Sequence, residues 1–116
     1  MVSKELLKGS LRSIVLKLLS ENNRMYGYEI TQKVEELSTG KIKLTFGALY
    51  PILHKLETDG TVSTETEIIN GRARIYYKLT PAGKNVALEK IKDLQEYLEL
   101  MGILFKPGFN LQACKI

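Results

Sequence analysis

Arg72, Arg74 and Lys78 stand at alternate positions of the run GRARIYYKL, with Tyr76 between them. Alternate side chains of an extended strand share a face, so this run presents a basic stripe interleaved with an aromatic ring. Guanidinium groups in that setting suit phosphate oxygens, which they bind through charge-assisted and often bidentate hydrogen bonds. Upstream, Thr45, Gly47, Ala48, Tyr50, His54 and Lys55 fall within TFGALYPILHKLETDG. There Leu49, Ile52, Leu53 and Leu56 follow the i, i+3, i+4, i+7 pattern of one buried helical face. The opposite face collects Gly47, Tyr50, Pro51, His54 and Thr58, with Lys55 beside them, and a helix of this kind fits a DNA major groove. The Tyr50 hydroxyl is expected on a phosphate, a contact that orients a helix without reading bases. Thr45, Gly47, Ala48 and His54 are left to read bases and offer few base-specific bonds.

Catalysis finds no support in the same residues. His54 is the only histidine and has no second metal ligand near it in sequence. A Gly-rich phosphate loop, a nucleophile elbow and a His/Cys/Asp grouping at useful spacing are all lacking. Neither an enzyme nor a metal or cofactor is expected.

The elements that position these side chains follow from local rules. Asn70-Gly71 between two alternating runs predicts a two-residue type I′ turn. Counting outward sets Ile69 opposite Arg72, Ile68 opposite Ala73, Glu67 opposite Arg74, Thr66 opposite Ile75 and Glu65 opposite Tyr76. Ala73, Ile75, Tyr77 and Leu79, with Val62 and Ile68 across from them, are then expected to form the apolar side. Asp59-Gly60 stops the helix before the hairpin. Pro51 removes a backbone donor, which predicts a kink or a late helix start near Gly47. Ser3 to Glu21 forms a core helix through Leu7, Leu11, Ile14, Val15, Leu18 and Leu19. A second helix after Met25-Tyr26-Gly27 buries Ile30, Val34 and Leu37 and ends at Ser38-Thr39-Gly40. Thr80 and Pro81 are an N-cap and a first helical residue for the last helix. The predicted order is helix, helix, helix, strand, strand, helix, a winged helix-turn-helix.

In the last helix Ala87, Ile91, Leu94, Leu98, Met101 and Phe105 are spaced four, three, four, three and four apart, as in an a/d seam. Leu88, Tyr97, Leu100 and Leu104 widen it, so the helix is expected to pack on the first helix and on its copy in a second chain. The competing reading packs the seam wholly inside its own chain. Lys4, Lys8 and Ser10, at the start of the first helix, either bind phosphate beside the helix N-terminus or form a solvated face. For Arg72 and Arg74 the bland alternative is a solvated wing with Arg74 paired across the ladder to Glu67, a contact contributing about 0.2–1 kcal/mol.

Size and charge agree with this scheme. A chain of 116 residues with net charge +4 and a pI near 9.2 is one folding unit with an affinity for anionic partners. The single Cys114 excludes an internal disulfide framework and fits a reducing cytoplasm. No leader opens the chain, and no apolar run approaches the roughly 20 residues that span a membrane. A cytoplasmic protein is therefore expected, divided into a DNA-binding unit over 1–80, a dimerisation helix over 81–106 and a tail over 107–116.

Four stretches taken in order, LLKGSLRSIVLKLL, YGYEI, GALYPILHKLETDG and GRARIYYKLTPAGK, make the chain resemble the phenolic-acid decarboxylase repressor (PadR) family of bacterial transcriptional regulators. The match runs from Leu6 to about Lys84, and the single C-terminal helix is similar to the family's smaller branch. The resemblance implies a mainly α fold with a two-stranded β wing, and a homodimeric repressor that leaves an inverted-repeat DNA operator when a small molecule or other signal arrives. It places Tyr50 and its helical neighbours, the Arg72 and Arg74 wing and the Tyr28 region against DNA, and an effector at the dimer interface. Some members hold flat drugs between tryptophans, and this chain has no tryptophan, so that pocket chemistry does not carry over. The rival expectation is a winged-helix adaptor that binds protein and no DNA.

Overall fold

The computed structural model describes residues 2–107. Its elements are α1 (Lys4–Glu21), β1 (Met25–Tyr26), α2 (Gly27–Leu37), α3 (Phe46–Thr58), β2 (Val62–Ile69), β3 (Arg72–Leu79) and α4 (Pro81–Leu104). Side-chain caps start three of the helices. Ser3 accepts from the Leu6 N–H, Thr45 from Ala48 and Thr80 from Gly83, each a contact contributing about 1 kcal/mol. α3 begins at Phe46, one residue ahead of the expected start, and continues through Pro51 to Thr58. Pro51 sits on the exposed side.

The core forms where the three N-terminal helices meet the base of the sheet. α1 supplies Leu11, Val15, Leu16, Leu18 and Leu19, α2 Ile30 and Val34, and α3 Leu49, Leu53 and Leu56. Val62, Tyr77 and Leu79 close it from the hairpin. The predicted register holds at every pair from Ile69 opposite Arg72 to Glu65 opposite Tyr76. Asn70 and Gly71 have φ of 51° and 77°, the left-handed values that a type I′ turn demands.

Four expectations are corrected. Leu37, expected on the buried face of the second helix, is 65% exposed at the last residue of α2. The sheet has three strands in the order β1-β3-β2, because Met25 and Tyr26 pair antiparallel with Tyr77 and Tyr76. Two residues are too few for alternation to show in sequence. The apolar side of the hairpin is covered only at its base, for Ile68 is 70% exposed and Ile75 46%. The hairpin outruns the helices beneath it and projects as a wing. In α4, Ala87 is 1% exposed and belongs to its own chain's core, with Ile91 packed against that core. These two supposed seam positions are used where α4 lies on α1, and Ala87 has no surface left for a partner.

Farther along, α4 leaves the body. Leu98, Leu100, Ile103, Leu104 and Phe105 are all more than half exposed, whereas Leu94 and Met101 are half-buried. No helix among the described residues is long and apolar enough to cross a membrane. Of the tail expected over 107–116, all but Pro107 lies outside the described residues, Cys114 included.

Candidate nucleic-acid interface

Between the wing and the N-terminal ends of α2 and α3 runs an open groove of about 720 Å³, bordered by Tyr28, Phe46, Tyr50, Arg72, Arg74 and Ile75. Three elements build it. α3 places Phe46, Tyr50 and His54 at i, i+4, i+8, so their rings follow one another along the helix. Phe46 and Tyr50 are 5.7 Å apart between centroids, and Tyr50 and His54 are stacked at 6.3 Å. α2 contributes Tyr28, 63% exposed, and Gly27, where an added Cβ would lie 2.6 Å from the Phe46 ring. Glycine is what lets that ring rest on α2. The wing adds Arg72 and Arg74, neither of which has a carboxylate partner in an ion pair among the described residues.

Sequence reasoning missed two members of this surface. Phe46 was visible as a large apolar residue off the Leu49 and Leu53 face. Arg24 carried no local signal, since its partners lie on a distant strand. From the end of the turn before β1, its guanidinium crosses the central strand. Nη1 donates to Glu65 Oε2 at 2.9 Å and Nη2 to Glu67 Oε1 at 2.6 Å, while Cζ sits 3.8 Å from the centre of the Tyr76 ring. The hydrogen bond with Glu67 is the chief cause raising the Arg24 pKa above the ordinary arginine value. Arg74 lies over the Tyr26 ring at 4.2 Å, and Tyr26 meets Tyr76 edge to face at 5.5 Å. The Arg74–Glu67 pair of the bland alternative is absent among the described residues, where the Glu67 carboxylate is held by Arg24. Tyr76, expected among the DNA contacts, is a half-buried ring under Arg24.

The remaining candidates divide. Lys4 and Lys8 are exposed and border a second, largely apolar groove of about 580 Å³ together with Lys43, Thr45, Gly47 and Ala48 of the α3 entrance. Ser10 is not among them. It lies in the groove between α1 and α4 with Leu94 and Tyr97, and its hydroxyl donates to the Leu6 carbonyl. The Thr45 oxygen is occupied in part as a cap. Lys55 pairs with Asp59 at 3.3 Å, and Asp59 also meets Arg12 at 3.5 Å, exposed pairs contributing about 1 kcal/mol or less. Gly47, Ala48, Tyr50, Pro51 and His54 remain exposed. Beneath the groove, burial first and then Tyr50 and Glu57 hold the Tyr77 phenol above its ordinary pKa, so it stays protonated at neutral pH.

Chemically, the surface offers cations, phenol hydroxyls and flat rings around a trough open to solvent. It suits a polyanion with apolar sugar faces better than a small reactive substrate. Among the described residues no group of three or more His, Cys, Asp or Glu side chains is placed to hold a metal ion.

Known proteins share this architecture. A PadR family transcriptional regulator from Eggerthella lenta superimposes with a TM-score of 0.73 at 27% identity, covering 88% of this chain and 87% of that one. A transcriptional regulator from Clostridium thermocellum has the same fold, with a TM-score of 0.79 at 24% identity, 91% of this chain and 100% of the other being covered. In sequence, a transcriptional regulator of Mycobacterium tuberculosis is 40% identical over 75 residues, which are 65% of this chain and 67% of that protein. The profile of the transcriptional regulator PadR-like family matches residues 15–89, from the middle of α1 into α4. The chain belongs to the PadR-like family of transcriptional regulators.

Proposed function

We propose that this regulator is a homodimeric repressor that binds an inverted-repeat operator and leaves it in response to a small molecule or other signal. One observation carries the DNA-binding part: Tyr28 of α2, Tyr50 of α3 and Arg72 and Arg74 of the wing border a single trough. Three elements converge there on one line of phosphates. Phosphate contacts by Tyr50, Arg72 and Arg74, with Lys4 and Lys8 at the other flank, supply affinity that depends on salt. Gly47, Ala48 and His54 meet base edges. Residues 1–80 act as the reading unit and the outer part of α4, from Leu94 to Phe105, as the dimerisation element. Two α3 helices then enter successive major grooves about 34 Å apart. An effector fits between α1 and α4, where Leu6, Gly9, Leu94 and Tyr97 already leave a groove of about 430 Å³.

The test is a mobility-shift titration of the full chain against the duplex upstream of its own gene, at several salt concentrations. A salt-sensitive complex that prefers this duplex to a scrambled one is expected. Its absence sinks the reading and favours the adaptor, although an adaptor has no need of Arg72 and Arg74 without carboxylate partners.

A further inference from the structure

Glu67 stands directly opposite Arg74 in the β2–β3 ladder. Cross-strand neighbours of opposite charge at that separation attract each other, and a pair formed there would neutralise one of the two wing arginines. The structure has a different arrangement. Arg24, which comes from outside the wing, reaches across β3 and holds the Glu67 carboxylate at 2.6 Å and that of Glu65 at 2.9 Å. Its side chain is the less exposed partner, at 28% against 45% for each glutamate. It is also stacked on Tyr76, so the guanidinium is fixed by a ring as well as by two carboxylates, a combination stronger than an isolated surface pair. Arg74, displaced from its ladder partner, lies over Tyr26 at the edge of the trough.

We propose that Arg24 is a positioning residue for DNA binding, which keeps Arg74 available to phosphate by occupying Glu67. The proposal rests on the reading of the wing as a phosphate-binding element. Two glutamates on the wing would otherwise cost it affinity twice, by repelling the DNA backbone and by capturing Arg74. A cation that touches no DNA removes both effects. Without Arg24, Arg74 falls back onto Glu67 and one phosphate contact per wing is lost.

The experiment uses the full chain and a duplex that it selects from a random-sequence pool, with affinity measured over a range of salt. Arg24→Gln is expected to weaken binding and to make the log–log salt slope shallower by about 0.9 per wing, the amount that accompanies one phosphate contact. Arg24→Gln with Glu67→Gln is expected to recover the wild-type slope, because the carboxylate that captures Arg74 is gone. A wing merely loosened by the loss of Arg24, or a phosphate contact made by Arg24 itself, gives no such recovery. An unchanged slope in Arg24→Gln, or a loss that Glu67→Gln fails to restore, overturns the proposal. Arg72→Ala with Arg74→Ala tests the underlying reading separately. If that pair leaves the slope intact, the wing does not bind phosphate and both ideas fall.

Discussion

Single residues in this chain are constrained by what stands within a few ångströms of them, and Gly83 shows the constraint most sharply. It lies in the first turn of α4, against the backbone of Thr61, whose carbonyl accepts from the Thr80 N–H at 3.0 Å. The Thr80 hydroxyl adds a bond to the Gly60 carbonyl at 2.7 Å. A Cβ at position 83 would overlap the Thr61 carbonyl, and neither backbone can retreat without breaking this junction. Gly83→Ala is therefore expected to destabilise the fold by about 1–3 kcal/mol or more, the range for forcing atoms into a packed site. A urea melt reads the effect. A midpoint matching that of the parent chain would mean that the start of α4 is held less tightly than these contacts require.

At the scale of elements, α3 carries two residues that weaken a helix, Gly47 and Pro51, both on the exposed side. Nothing lies within 4 Å of a Cβ built on Gly47, so the chain itself gives no steric reason for glycine there. The proposed groove entry does, since a bare backbone approaches base edges more closely. Gly47→Ala is expected to raise stability by about 0.5–1 kcal/mol and to lower operator affinity, with thermal melts and mobility shifts moving in opposite directions. Equal or tighter binding would remove Gly47 from the interface. Most elements were legible in the sequence because their signals are local: the cap at Thr80, the leucine spacing of α1 and α3, and the Asn70-Gly71 turn that set the whole hairpin register. What stayed hidden is non-local. Strand β1 exists only because β3 pairs with it. The Arg24 bridge joins residues 41 and 43 positions apart, and the exposure of Ile68 and Ile75 depends on how far the helices reach under the wing.

For the whole molecule the question is what covers α4. The helix is about 36 Å long at 1.5 Å per residue, and its first half, through Ala87 and Ile91, is spent on the chain's own core. The second half extends a body whose longest dimension reaches 66 Å and carries Leu98, Leu100, Ile103, Leu104 and Phe105, the last 78% exposed. Exposed apolar residues gathered on one stretch of helix suit an interaction surface, and the half-buried Leu94 and Met101 share one face with Leu98 and Phe105. In the proposed dimer, Leu98 is a 58% exposed position outside the chain's own core, so a charge there opposes association and leaves the reading unit intact. Leu98→Lys is expected to sediment as a monomer where the parent chain sediments as a dimer, with an unchanged far-ultraviolet spectrum at low temperature. Its affinity for the full inverted repeat should fall to that for a single half-site, because the second reading unit is no longer tethered at high effective concentration. A parent chain that remains monomeric at tens of micromolar, or a Leu98→Lys dimer with full operator affinity, would place the partner of α4 elsewhere and leave the two-fold geometry of the operator without a source.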